Sequence, residues 1–476
     1  MTCAVVLAVA FSACTAAPEP AAPEDPPRQP EPTAVDGVGA GGIGDPYYPE
    51  DGNGGYDVTA YEVGISYDPE SRKLDGDTVV KATASADLTR FNLDLTGFDV
   101  TSVEVDGKAA QHSREGEQEL VVTPASPLKQ GRAFAVRVVY TGIPEAEEDG
   151  PLGASGWQIT ESGGAFAAGE PHSASSWFPV NDHPRDKATF ALSARVPDGW
   201  SVISNGVEEK AVAKDGWTTY RWVEPNRIAT YLTTIGIDKW TFERTTLADG
   251  TPVVNAYAPG AEGKKDVQRR MPEVLNFLAS AFGEYPQSAA GGIYINENIA
   301  FSLETQGRPI YARWAELDVV VHELAHQWWG NSVSVDTWAD ICLNECFASY
   351  AMWMWDEHVG ENLDARYRTT VARNFERNRF WNRKLYDMGA GNEFTAVYDK
   401  GQLALHALRR RIGEDAWKRV VTTWLSTHAD GNASWPQFED LVVQVAGEDV
   451  RPFLDAWFRQ PSRPSDEHLY PGPLAK

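Results

Sequence analysis

The run VVVHELAHQWWG, at positions 319 to 330, limits what this chain can fold into more than any other stretch. His322 and His326 are four residues apart, so on a helix their imidazoles project from one face and can grip a single ion. Glu323 lies between them in sequence. Eighteen residues separate His326 from Glu345 in LNECFASY, room for a turn and a second helix that returns a third ligand to the first two. Two neutral imidazoles and a carboxylate suit Zn²⁺, and three protein ligands leave a fourth position for water, as in a hydrolase.

A length of 476 residues predicts two or three domains, and 42% hydrophobic residues with 17 Trp are ample for real cores. The formal charge of −26 argues against nucleic acid or anionic lipid as the main partner, because both demand basic surface. A local excess of acid near the site would favour cationic substrates. Four cysteines in a chain this long do not make a disulfide scaffold. No segment after the first residues is apolar for long enough to be transmembrane.

Residues 1–14, MTCAVVLAVAFSAC, form a short apolar run that fits an export signal, and its Phe-Ser-Ala-Cys ending resembles a bacterial lipobox with Cys14 as the lipidated residue. The expectation is an exported protein, either secreted or a cell-surface lipoprotein whose only membrane contact is a lipid on Cys14. Residues 15–43 are rich in Pro, Ala, Glu and Gly and read as a disordered tether. Residues 44–242 show period-two patterning with turn punctuation. In AFAVRVVY, Phe134, Val136, Val138 and Tyr140 share one face, and Asp106-Gly107 is a turn signal. A β domain of antiparallel strands is expected there.

Near residue 260 the period changes. Val267, Met271, Val274, Leu278 and Phe282 recur at helical spacing, followed by a strand in GGIYIN and then the metal-binding helix, expected to stop near Gly330. Asp336 or Thr337 is the expected cap of the helix that carries Glu345. Residues 243–460 therefore form a mainly helical domain with a small sheet, and residues 461–476 read as a flexible tail. The predicted fold class is multidomain α+β.

Across HELAHQWWGNSVSVDTWADICLNECFASY the sequence resembles the zinc-site signature of the aminopeptidase N-like metallopeptidases, the gluzincin group that also includes leukotriene hydrolase. WFPVNDHPRDKATF at 177 to 190 resembles a stretch of that family's N-terminal β domain, and VYDKG at 397 to 401 resembles the motif that carries its catalytic Tyr. The resemblance spans about residues 44 to 460. It implies a saddle- or sandwich-like β domain, a thermolysin-like catalytic domain, and one Zn²⁺ held by His322, His326 and Glu345. It also implies a short form without the large helical C-terminal domain of many relatives, and so a more open site.

The same resemblance assigns roles. Glu323 would take the proton of the attacking water and hand it to the leaving amine. Tyr398 would donate to the oxyanion. Glu304 in FSLET and Glu170 in GEPHSASSWFP would hold the free α-ammonium, so the substrates would be peptides with a free N-terminus. Phe301 and Thr305 depart from the family's Gly-x-Met-Glu-Asn pattern, and Cys342 and Cys346 flank Glu345 where Trp and Gly are usual. Two cysteines four apart on a helix can form a disulfide or remain buried thiols. The alternatives to an aminopeptidase are a thermolysin-like endopeptidase or an epoxide hydrolase on the same centre, or a surface binding protein that keeps the fold without catalysis.

Overall fold

Residues 34–148 and 150–475 are described by the computed structural model of the protein. The expected export signal, Cys14 and most of the expected tether lie outside the described residues.

Alternating burial builds the β region. Phe134, Val136, Val138 and Tyr140 are all buried, so the period-two face read from AFAVRVVY is the core face of strand Ala133–Gly142. That strand belongs to a large sheet whose central order is Trp217–Ile228, Ala188–Pro197, Tyr56–Asp68, Lys73–Ala84, Ala133–Gly142 and Asp99–Val105. Asp106 and Gly107, at φ 51° and 70°, turn the chain tightly after Val105.

One pairing departs from the antiparallel expectation. Tyr56–Asp68 and Ala188–Pro197 run parallel, with Ala60 opposite Thr189 and Ser66 opposite Arg195. A parallel neighbour demands a long crossover, so after Gly142 the chain leaves this sheet. It lays down Ser155–Ile159 and Ala165–Ala168 in a second sheet before returning. That excursion carries Glu170.

Two stretches expected to lack order are packed instead. In 34–43, Val35 and Val38 exchange backbone hydrogen bonds, Gly39 N–H donates to the Arg90 carbonyl at 2.9 Å, and Ile43 is buried. In 461–476, Leu469 and Leu474 are buried, and Tyr367 Oη donates to the Leu469 carbonyl at 2.6 Å. Both stretches are poor in apolar residues; a few anchors and long-range backbone partners order them.

The second half is built on a four-stranded sheet in the order Thr241–Thr246, Pro252–Tyr257, Ala290–Tyr294, Ile310–Tyr311. Around it lie helices α1 (Met271–Phe282), α2 (Leu317–Ala325), α3 (Cys342–His358), α4 (Leu363–Asn374), α5 (Asp399–Ile412), α6 (Glu414–Thr427) and α7 (Trp435–Ala446). The apolar stripe of α1 is buried at Met271, Val274, Leu278 and Phe282. α3 is buried at every position from Cys342 to Ala351, the signature of a helix enclosed on all sides. Trp329 stacks on Phe347 of α3 with ring centroids 3.7 Å apart. On another side α5 comes so close that a Cβ on Gly401 would lie 2.7 Å from Cys346 Sγ, which explains the glycine in VYDKG.

Lys187 of DKATF ties the two halves together. Its Nζ donates to the carbonyls of Asn331 and Ser332 at 2.8 and 2.9 Å, just beyond the metal-binding helix. Burial pushes its pKa down to about 7. Among the described residues no helix is long and apolar enough to cross a membrane.

Candidate functional site

α2 ends at Ala325, earlier than the expected stop near Gly330, yet His326 as its C-cap keeps helical dihedrals, with φ −57° and ψ −23°. Both imidazoles therefore stay in register, their Nε2 atoms 3.1 Å apart. Thr337 caps a short turn, Trp338–Asp340, by a reciprocal capping box with Asp340, rather than capping the ligand helix directly. α3 follows at once and delivers Glu345, whose Oε2 lies 3.2 Å from His322 Nε2 and 3.6 Å from His326 Nε2.

These separations fit a metal. Ligands about 2.0 Å from a tetrahedral centre lie about 3.3 Å from one another. Glu345 Oε2 is buried and makes no hydrogen bond, so its lone pair is directed at the point the two imidazoles share. His326 Nδ1–H donates to the Trp329 carbonyl at 2.9 Å, which leaves Nε2 as the ligating nitrogen. Two His nitrogens and one carboxylate are a donor set that could hold zinc and leave a fourth position open. In the protein's own field burial opposes ionisation of Glu345, but His326 and His322 outweigh it and hold the carboxyl down at about 2. Burial would lower His326, but Glu304, Glu345 and Glu323 carry it up to about 10.

Cys342 and Cys346 are joined by a disulfide with a Cα separation of 4.7 Å, so the bridge straddles Glu345 on the buried helix.

The remaining sequence-predicted residues gather at this centre. Glu323, on α2, is buried; desolvation raises its pKa well above the usual range, His326 pulls it back, and Glu304 and Glu345 push it up. Tyr398 precedes α5, with its ring 6.1 Å from the ring of His322. Burial and then Glu345, Glu170, Glu304 and Glu323 hold its pKa well above the ordinary value, so its hydroxyl keeps its proton.

Glu304 follows Leu303, which pairs with Ile310 through two backbone hydrogen bonds of 2.9 and 2.8 Å. Tyr231 Oη donates to Glu304 Oε1 at 3.1 Å. Glu170 is 1% exposed, and neither carboxylate oxygen has a hydrogen-bond partner. Desolvation raises its pKa well above the usual range, and Glu304, Glu345 and Glu323 add to the effect.

Family models match both halves of the chain: the Peptidase M1 N-terminal domain over residues 58–232, and the Peptidase family M1 domain over residues 290–457. The chain belongs to the M1 peptidase family. Among M1 relatives it is 27% identical over 448 residues to a probable aminopeptidase 1 of Saccharolobus solfataricus, covering 86% of this chain and 54% of that protein. The chain spans about half the length of such curated relatives. The M1 zinc metallopeptidase of Deinococcus radiodurans superposes with a TM-score of 0.83 at 28% identity, over 89% of this chain and 99% of that one. A mutant of that M1 enzyme, bound to a Tyr-Ser-Ala substrate, superposes with a TM-score of 0.81 over 91% of this chain.

Three residues of this M1 site went unread in the sequence. Tyr231 holds Glu304, and Asn344, next to Glu345, donates to Tyr231 Oη at 3.5 Å. Asp45, buried in the segment before the first strand, accepts the Trp338 N–H at 2.9 Å ahead of the ligand helix, and its Oδ2 is 3.1 Å from His183 Nε2. Asp45 and Trp338 are 293 positions apart, a contact no local pattern announces. Tyr231 lies in a buried turn, Thr230–Leu232, and in the sequence it reads only as one more aromatic core residue.

Proposed function

We propose that the protein is a zinc-dependent aminopeptidase that removes N-terminal residues from peptides. The observation that carries this reading is a pair of buried carboxylates, Glu304 and Glu170, near the candidate zinc ligands and, among the described residues, without an ion-pair partner within 4 Å. An uncapped α-ammonium supplies the missing positive charge, and an internal amide does not. Relatives named as a probable aminopeptidase and a leucyl aminopeptidase, and a structural relative bound to a tripeptide substrate, agree with it.

His322, His326 and Glu345 would hold the metal. Bound zinc supplies Lewis acidity, which acidifies water and polarises a carbonyl. Glu323 takes the proton of the attacking water and passes it to the departing amine. Its raised pKa suits a group that must hold that proton between the two transfers. Tyr398, kept neutral, donates its O–H to the negative charge that develops on the carbonyl oxygen. Glu304, steadied by Tyr231, and Glu170 take the ammonium and set the register of cleavage at the first bond.

The decisive experiment offers the zinc-loaded protein aminoacyl chromogenic substrates with free and with N-acetylated amines, with and without a chelator. Turnover of the free amines alone, abolished by chelation, is expected. Equal turnover of blocked and free substrates would replace this reading with the endopeptidase alternative.

We further place the protein outside the cytoplasm, tethered by a lipid on Cys14. The apolar run before Cys14 supports this, and so does the Cys342–Cys346 disulfide, since structural disulfides persist in oxidising compartments. Expression of the full precursor with radiolabelled fatty acid should label the protein, and Cys14→Ser should remove the label.

A further inference from the structure

The residue that follows His326 bridges the metal helix and the amine side. Gln327 is fully buried, and its amide uses its oxygen and both N–H bonds. Oε1 accepts the Gly307 N–H at 2.8 Å, and Nε2 donates to the Glu304 carbonyl at 3.1 Å and to the Glu323 carbonyl at 3.2 Å. These partners force the orientation. Turned over, the amide would set its NH₂ against the Gly307 N–H and its oxygen against two carbonyls. One side chain thus grips the backbone of Glu323, on the metal helix, and the backbone of Glu304, on the loop that carries the ammonium acceptor.

A second amide reinforces the first. Asn331 Nδ2 donates to the same Glu304 carbonyl at 2.7 Å, and the Asn331 carbonyl accepts Lys187 Nζ at 2.8 Å. The pairing of Leu303 with Ile310 closes the loop on itself, and the two amides fasten it to the end of the metal helix. On the other side the Gln306 N–H donates to the Leu232 carbonyl at 3.2 Å, next to Tyr231, whose hydroxyl holds the Glu304 carboxylate. The carboxylate is therefore steadied from the β half, and the backbone that carries it from the metal helix.

An α-aminoacyl group places one carbon between its ammonium and the scissile carbonyl, and a β-aminoacyl group places two. A site whose ammonium acceptor stands at a fixed distance from the metal suits one spacing, since a misplacement of about 1 Å can cost about 10²-fold. We propose that Gln327, assisted by Asn331, is the positioning residue that sets this distance and so confines the enzyme to α-aminoacyl substrates; this rests on the aminopeptidase reading and narrows its substrate class. Both residues act through the Glu304 backbone.

The test compares the zinc-loaded full chain with Gln327→Met, which keeps the length of the side chain and removes its amide, on leucyl and β-homoleucyl chromogenic substrates. In parallel, calorimetry measures binding of leucine hydroxamate and its N-acetyl form, which share a metal-chelating group and differ in the free amine. The wild type is expected to favour leucyl over β-homoleucyl at least 100-fold in kcat/KM. The substitution should reduce that ratio at least tenfold, with zinc retained by elemental analysis. Acetylation should weaken hydroxamate binding at least tenfold in the wild type and less than threefold in Gln327→Met. Equal losses on the two substrates would make Gln327 a merely structural group and overturn the proposal. Should Gln327→Met fail to fold or lose zinc, Asn331→Ala decides by the same ratio: a fall of at least threefold is expected, and an unchanged ratio overturns it. A wild type that cleaves both substrates equally overturns it while leaving the aminopeptidase reading intact. If no free-amine substrate is cleaved, that reading fails. The hydroxamates then decide this one: an advantage of the free amine that the substitution leaves within threefold overturns it.

Discussion

Glu345 and Glu170 are both glutamates buried to within a few per cent, yet their surroundings treat charge in opposite ways. Glu345 faces two imidazoles at 3.2 and 3.6 Å and is held ionised, its pKa down at about 2. Glu170 faces other acids, makes no hydrogen bond through either oxygen, and is pushed well above the usual carboxylate range. On the metal side the protein supplies a complete donor set of its own. On the side of Glu304 and Glu170 the described residues supply a phenol from Tyr231 but no ion-paired cation, and in the proposed function the cation arrives with the substrate. The difference teaches that one half is arranged for a resident ion and the other for a visitor.

The largest effects should come from the metal side. Glu323→Gln should retain zinc by elemental analysis yet lower kcat by about 10²–10⁴-fold, the usual range for a lost acid–base group. Tyr398→Phe should cost about 10²–10³-fold, chiefly in kcat, as expected for a donor used in the transition state. Loss of zinc in either variant would show that the two halves of this comparison are not separable.

On the amine side, Glu304→Gln should reduce kcat/KM on free-amine substrates by about 10- to 100-fold, since a hydrogen bond to a charged group contributes about 1.5–3 kcal/mol. Its hallmark is a narrowed gap between free and acetylated substrates. Tyr231→Phe removes the hydroxyl that steadies Glu304 and accepts from Asn344, and should cost about tenfold. That loss should appear mainly in KM, and a fall confined to kcat would reassign Tyr231 to the chemistry.

The smallest effect sharpens the comparison through stability. Glu170 has a folded pKa raised above its unfolded value, near 4.5. Its contribution to stability is therefore full below about pH 4.5 and is lost as pH rises through the folded pKa. In metal-free protein, Glu170→Gln should flatten the decline of Tm above that pH. An unchanged slope would mean that the carboxylate is solvated.

Legibility in the sequence followed the same divide. His322, His326 and Glu345 were readable because helical period and spacing alone bring them together, and a metal tolerates few other donor sets. Glu304 and Glu170 were reachable only through resemblance, since a lone Glu in FSLET or GEPHS reads equally well as a solvated side chain. Tyr231 gave no signal beyond being aromatic, because what distinguishes it is burial beside Glu304 and Asn344, far away in sequence. The parallel pairing of Tyr56–Asp68 with Ala188–Pro197 was missed for a related reason: alternation reports which faces are buried, not strand direction. Residues 34–43 were misjudged because composition counts apolar side chains and overlooks backbone partners such as Arg90.

The segment before the first strand has a mechanical consequence. Arg185 Nη1 donates to the Ile43 carbonyl at 3.1 Å, Asp45 holds the short turn ahead of the ligand helix through Trp338, and Tyr47 holds the loop ahead of Tyr398. Three successive staples thus lie between the N-terminal end of the chain and the metal centre. Counted from that end, the chain is anchored at Gly39 on Arg90, then at Ile43, Asp45 and Tyr47, so the segment reaches the loop ahead of Tyr398 only after three earlier attachments.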